Sequence, residues 1–259
     1  MYVKPKKHLG QHFLKDESVC VKMVAAVPPS EKNMSILEIG PGTGALTKYL
    51  LKRTDFDTHV IELDSESVQY LQVHYEQLAG KIYYLDFLKV DLSTLMGTEP
   101  FLVFGNFPYN ISSQILFKVL DYKDQIPMVV GMFQKEVAER IATPPGSKQY
   151  GIISVLLQAF YDIEYLFTVN EDVFDPPPKV KSGVIKLVRN SIDSLGCDER
   201  DFKRVVKTAF QQRRKTLRNS LKSMIGDHVD TDMPIFRERP EQLSVDDFVE
   251  LTVLLLTKE

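Results

Sequence analysis

The stretch Gly105-Asn106-Phe107-Pro108-Tyr109-Asn110 places a side-chain amide, a fixed proline turn and an aromatic ring directly after the apolar run "FLVF". Asn and Pro are ordinary turn residues and a neighbouring Tyr can simply pack, so the stretch alone leaves a structural reading open. The chemistry it would suit is nonetheless specific. The Asn106 side-chain oxygen and the Phe107 backbone carbonyl are two acceptors, matched to the two N–H groups of an exocyclic amine on a nucleobase. Such an amine is a poor nucleophile because its lone pair is delocalised into the ring, and acceptors that favour its pyramidal form act on charge developing in the transition state. Tyr109 would stack on the base, since chemistry on a base takes it out of its stack. No strongly basic side chain is required, because the alkylated nitrogen is acidic enough to lose its proton to water or to the same acceptors.

Three other segments carry matching ligand chemistry. In "EIGPGTGALT", Gly40, Gly42 and Gly44 let the backbone turn tightly and approach a ligand at a helix start. The pattern differs from GxGxxG, which weighs against a nicotinamide cofactor. In "IELD", Glu62 is placed to accept both hydroxyls of a ribose, with a helix cap or surface acid as the plain alternative. In "YYLDFL", Asp86 suits an adenine amino group while Leu63 and Phe87 contact the ring. Together these describe an adenosine pocket. With no Walker lysine motif and no pyrophosphate fingerprint, the cofactor expected there is S-adenosyl-L-methionine, its methionine end over the glycine turn.

Bringing these residues together demands a particular order of elements. Short β-rich runs ("SILEIG", "DTHVIELD", "KIYYLD", "FLVFGN", "MVVGMF", "DIEYLF", "GVIKLV") alternate with helical patterns, which predicts βαβ units and a largely parallel sheet covered by helices. Ligands bind beyond the carboxyl ends of strands in such sheets. The ends near Gly40, Glu62, Asp86 and Asn106 are 22, 24 and 20 residues apart, each about one βα unit, so all four should line one edge. Between the last two runs, "EDVFDPPPKVKS" cannot continue a helix, and those runs are expected to pair antiparallel at an edge. Strand patterns stop after about residue 190, and "NSIDSLGCDERD" reads as a linker. The predicted class is α/β: a Rossmann-like methyltransferase domain over 1–190 followed by a small helical domain over 191–259.

At 259 residues and 44% hydrophobic content the chain can bury a true core. It has no apolar run of membrane-spanning length, and its basic N-terminus lacks an apolar signal region, so a cytoplasmic protein without a membrane partner is expected. Cys20 and Cys197 form no CxxC pair and no His cluster accompanies them, which argues against a disulfide framework or a metal site. The net charge of −3 conceals uneven placement. Residues 202–222 hold eight Lys or Arg and no acid, and a one-sign stretch of that length favours contact with a polyanion. Arg213, Arg214 and Lys215 are the expected phosphate ligands. The segment "IATPPGSKQYG" reads as a mobile surface loop.

With those residues in hand, the sequence resembles the ribosomal RNA small-subunit adenine dimethyltransferases, the KsgA family, over nearly its whole length. "KKHLGQHFL" looks like the family's N-terminal cofactor motif, "EIGPGTGALT" its glycine motif, "IELD" its ribose motif and "NFPYN" its catalytic motif. "VFDPPPKVKS" and "FQQRRKTLRNSLK" are similar to its later signatures. The resemblance implies methyl transfer from S-adenosylmethionine to N6 of two adjacent adenosines in the 3′-terminal hairpin loop of 16S rRNA, during small-subunit biogenesis, by a monomer. It also implies that His12 and Leu14 touch the cofactor's methionine part, that Gly40 forms the glycine turn, and that Asn106 lies at the methyl-transfer centre. Phe174 matches the aromatic facing the target base opposite Tyr109, although it could instead anchor its loop in the core. Two positions depart from the family pattern: Leu85 stands where Gly is common, and Phe107 where Leu is. Two alternatives stay open, a large-subunit rRNA dimethyltransferase of the macrolide-resistance type and an assembly factor whose catalysis is secondary.

Overall fold

The computed structural model describes residues 3–31 and 33–256. Two compact units form, one from Met1–Ala138 with Ile163–Arg189 and one from Glu139–Asp162 with Asn190–Glu259. The strands are β1 (Phe13–Leu14), β2 (Met34–Ile39), β3 (Phe56–Glu62), β4 (Ile82–Tyr84), β5 (Phe101–Asn106), β6 (Met128–Gln134), β7 (Tyr161–Val169), β8 (Phe174–Asp175) and β9 (Ser182–Arg189).

The main sheet has the order β4-β3-β2-β5-β6-β9-β7. Its first five members run parallel, and β2 and β5 bury most of their residues, as strands covered on both faces must. The register sets Ile39 opposite Ile61, Ile61 opposite Tyr83 and Glu38 opposite Phe104. The carboxyl ends of β2 to β5 therefore lie on one edge, as the sequence spacing predicts. β9 runs antiparallel to β6, with Ser182 opposite Gln134, and is the neighbour of β7 at the sheet's margin.

Between the strands of the first unit lie α1 (Glu17–Ala25), α2 (Thr47–Leu50), α3 (Ser65–His74), α4 (Leu92–Met96), α5 (Ser112–Asp121) and the start of α6 (Lys135–Ala142). Asp16, Asp64 and Asp91 cap α1, α3 and α4 by accepting from backbone N–H groups of the first turn. The cap of α3 is thus Asp64, which releases Glu62 from the capping alternative. The first unit's apolar core includes Leu14, Met23, Ile36, Phe104, Met132 and Phe174.

The second unit is helical, with α7 (Ile152–Gln158), α8 (Glu199–Gln211), α9 (Leu217–Ser220) and α10 (Val245–Leu256). α8 is capped by Asp198 and buries Phe202, Val205, Val206 and Ala209, the i, i+3, i+4, i+7 stripe of an amphipathic helix. It packs on α7, α9 and α10. α7 buries Ile153 through Leu157 without a polar face and packs on α8 and α10, so it joins this unit although it precedes β7. Among the described residues, no helix is long and apolar enough to cross a membrane, and no group of three or more His, Cys, Asp or Glu could hold a metal ion.

Candidate functional site

A cleft of about 290 Å³ opens at the aligned carboxyl edge of β2 to β5. Its lining includes His12, Leu14, Gly40, Gly42, Glu62, Asp86, Asn106, Phe107 and Tyr109, so one cleft gathers nine of the residues singled out in the sequence. The glycine turn after β2 needs its glycines. Gly42 has a φ of +56°, and a Cβ there would come within 2.8 Å of the Phe13 ring. With no side chain in the way, its N–H donates to Glu62 Oε2 at 3.0 Å.

Glu62, at the end of β3, is almost wholly buried. Its Oε1 accepts from the N–H groups of Leu63 at 2.8 Å and Asp64 at 2.9 Å. Burial pushes its carboxyl above the usual range, opposed by these three backbone donors. A carboxylate offers about four lone-pair positions. Three are occupied by backbone N–H groups, and one position remains on Oε2.

Glu38 was not singled out by the motif reading, although it precedes the glycine turn. It is 1% exposed, lines the same cleft and accepts from Thr47 Oγ1 at 2.6 Å. Burial, with the neighbouring Glu62 charge adding, pushes its carboxyl from 4.5 up to about 8. A carboxyl raised on folding contributes stability below its ordinary value, and that contribution is lost as pH rises through the folded value. The melting temperature of the unliganded protein should therefore fall as pH rises from 4.5 towards 8, and Glu38→Gln should flatten that profile. Parallel profiles for the two proteins would show that Glu38 does not bind this proton.

On the β4 side, Leu63 and Leu85 are 48% and 43% exposed at the rim of the cleft while Phe87 is buried below, an apolar slot for a flat ring. Asp86 Oδ1 accepts from the Leu88 N–H at 3.0 Å, closing the loop, and Lys89 approaches Oδ2 at 3.4 Å. Lys118 donates to the Val90 carbonyl and lies 5.4 Å from the Phe87 ring centroid, backing the slot. The N-terminal arm is tied down beside it: Lys6 pairs with Asp64 and, at 3.2 Å, with Glu66, and Gln11 donates to Asp64 at 3.3 Å.

Opposite lies the Asn106 turn. Asn106 Nδ2 donates to the His12 carbonyl at 3.0 Å, so the amide is held by its donor half and Oδ1 is the half left for a ligand. Phe107 is buried edge-on to Phe133, at 5.1 Å between centroids, and its ring fills the space over Gly131, where a Cβ would lie 2.4 Å away. Its N–H donates to the Met132 carbonyl at 3.2 Å, which orients the peptide while leaving its own carbonyl out of that bond. The Tyr109 hydroxyl shares a 2.5 Å hydrogen bond with Ser182 Oγ, and its ring stacks on His12 at 5.7 Å.

Two groups stand elsewhere. Phe174 is 1% exposed, pairs with Leu14 in the short β1–β8 ladder and packs in the first unit's core; it is absent from the cleft lining and takes the anchoring alternative. Arg213, Arg214 and Lys215 belong to the second unit, in the turn between α8 and α9. Arg214 and Lys215 are exposed, whereas Arg213 donates to the Ser147 carbonyl at 3.3 Å and lies 3.8 Å from Glu241. The 141–151 segment, expected to be a mobile loop, is pinned there, also through Gly146 N–H on the Glu241 carbonyl at 2.7 Å.

Residues 3–251 match the family described as Ribosomal RNA adenine dimethylase. The chain is 61% identical over 253 residues to a Parabacteroides distasonis protein named Ribosomal RNA small subunit methyltransferase A, covering 97% of this chain and 94% of that one. A protein of the same name from Cytophaga hutchinsonii is 57% identical over 256 residues, 99% of each chain. Among solved structures, a dimethyladenosine transferase from Plasmodium falciparum superposes with a TM-score of 0.76 at 25% identity, covering 93% of this chain and 96% of that one. The 23S rRNA methyltransferase ErmE has the same fold, with a TM-score of 0.66 at 24% identity over 94% of this chain and 99% of its own.

Proposed function

The chain belongs to the ribosomal RNA adenine dimethylase family, and on that premise we propose that it transfers methyl groups from S-adenosylmethionine to N6 of adenosine in small-subunit rRNA. The observation that carries this reading is the Asn106 amide, held through Nδ2 on the His12 carbonyl while Asn106 and Phe107 both line the cleft. The targets are two adjacent adenosines in the 3′-terminal hairpin loop of 16S rRNA. The protein works as a cytoplasmic monomer on the small ribosomal subunit.

The residues present fit the cofactor. A glycine turn that leaves no room for a side chain at Gly42 or Gly44, one free acceptor position on Glu62, and an apolar slot with Asp86 at its edge together suit a glycine-cradled adenosine. When bound, S-adenosylmethionine supplies an electrophilic methyl on a sulfonium. Asn106 Oδ1 and the Phe107 carbonyl accept the N–H groups of the target amine and stabilise its pyramidal form as positive charge develops on nitrogen. The proton released from that nitrogen passes to solvent or to these acceptors. Phe107 acts through its backbone, so a Leu in its place should be tolerated if it fills the space over Gly131.

Labelled methyl transfer to unmodified small subunits, unmodified large subunits and free RNA, run in parallel, tests the substrate. Label in small subunits alone is the expected result; label in large subunits would favour the macrolide-resistance alternative.

The α8–α9 turn supplies phosphate contacts, which give affinity and salt dependence with little sequence information. Because Arg213 is engaged with Ser147 and Glu241, the load falls on Arg214 and Lys215. Replacing both with Ala should weaken particle binding and reduce the salt slope by about one per lost phosphate contact. Arg213→Ala should lower the melting temperature and leave the slope nearly unchanged. Equal slopes in wild type and the Arg214/Lys215 variant would remove this turn from the RNA interface.

A further inference from the structure

Tyr109 is held in more ways than stacking requires. A base stacks on any aromatic face, so a Phe would serve as well for that purpose alone. Here the phenol oxygen meets Ser182 Oγ at 2.5 Å, and Ser182 is fully buried on β9, opposite Gln134 of β6. The Tyr109 carbonyl accepts from Ser112 Oγ at 3.1 Å. One ring face is covered by His12, with 25° between the planes. The His12 ring is itself fixed by a 2.7 Å contact between Nδ1 and the Pro176 carbonyl. A carbonyl only accepts, so Nδ1 carries the proton.

The segment "FDPPPKVKS" thus reaches this ring pair at two points, through the Pro176 carbonyl and the Ser182 hydroxyl, while its own aromatic, Phe174, is buried in the core. Hydroxyl, backbone and one face of Tyr109 are all engaged, and the residue lines the cleft. We propose that Ser182 is a positioning residue for methyl transfer: with His12 behind the ring, it locks Tyr109 into the single orientation that sets the target adenine against Asn106. This rests on the reading that the target base stacks on Tyr109. A base stacked on a ring free to swing would meet the Asn106 and Phe107 acceptors in only part of the population. Misorientation therefore appears in the transfer step, since particle affinity comes mainly from phosphates.

Single-turnover methylation of unmodified small subunits at saturating particle and cofactor, with separate measurement of both affinities, tests this. Ser182→Ala and Tyr109→Phe delete the same hydrogen bond from opposite sides, so each should slow transfer by about three- to tenfold, the worth of one neutral hydrogen bond. Particle and cofactor affinities should not change. The double variant should be no slower than either single one, because the bond can be lost only once. Tyr109→Phe, lying at the cleft, keeps the question answerable if Ser182→Ala destabilises β9. Losses that multiply in the double variant, or an unchanged rate in Tyr109→Phe, would overturn the positioning role. A Tyr109→Ala protein that transfers methyl at the wild-type rate would instead overturn the stacking reading beneath it.

Discussion

Asn106→Ala should slow the first methyl transfer by about 10²–10³, the usual cost of losing one preorganised acceptor or donor from a transition state. The structure makes this a loss of chemistry with little loss of fold. Asn106 ends β5, and its side chain makes one hydrogen bond to protein, from Nδ2 to the His12 carbonyl. Unmodified adenine brings two N–H donors to Oδ1 and the Phe107 carbonyl, whereas the monomethyl intermediate brings one. If the first methyl must rotate away from the sulfonium, the surviving proton points to a single acceptor, and the two transfers should fall by unequal factors. Single-turnover assays starting separately from adenosine and N6-methyladenosine in the same sequence measure both. Equal losses, or none, would mean that Asn106 positions the turn and does not hold the reacting amine. Asn106→Asp separates the two functions: the oxygen remains, but the donor to His12 is gone, so transfer should suffer less than in the Ala variant while the N-terminal arm loosens.

Glu62→Ala should weaken S-adenosylmethionine binding by about 1.5–3 kcal/mol, the range for a hydrogen bond to a charged group. Truncation also leaves the N–H groups of Gly42, Leu63 and Asp64 without their acceptor, so the glycine turn should loosen with it. The saturated geometry of Glu62 gives a sharper expectation with the protein unchanged. One lone-pair position remains, so only one ribose hydroxyl can bond to it fully. Calorimetry with the 2′-deoxy and 3′-deoxy analogues of S-adenosylhomocysteine should find one analogue bound much more weakly than the parent and the other nearly as well. Equal losses for both analogues would contradict this occupancy of Glu62.

Much of the site was legible because one periodicity governs it. Four β-runs at near-equal spacing forced their ends onto one edge, and Gly40, Glu62, Asp86 and Asn106 all line the cleft found there. What stayed hidden depends on contacts between distant segments. Nothing local marks β9 as the strand inserted between β6 and β7. The apolar run of α7 reads as a core helix, but whose core it joins is decided by α8 and α10. Phe174 carries the right residue type for a base platform, yet pairing of its backbone with Leu14 places its ring in the core. Arg213 looks like its neighbours in sequence and differs from them because Ser147 and Glu241 come to meet it. Ser182 has no signal of its own, since a serine in a strand reveals a role only when Tyr109 is seen 2.5 Å away.

If the edge of this sheet carries methyl groups to the exocyclic nitrogen of adenosine in small-subunit rRNA, the product is a defined modified nucleoside. Nucleoside mass spectrometry of 16S rRNA from unmodified small subunits, incubated with the protein and S-adenosylmethionine, detects it. The predicted result is N6,N6-dimethyladenosine at two adjacent positions in the 3′-terminal hairpin, absent when the Asn106→Ala protein replaces wild type over the same time. Methyl groups on another atom or another base, or dimethyladenosine formed equally well by the Asn106→Ala protein, would contradict this function.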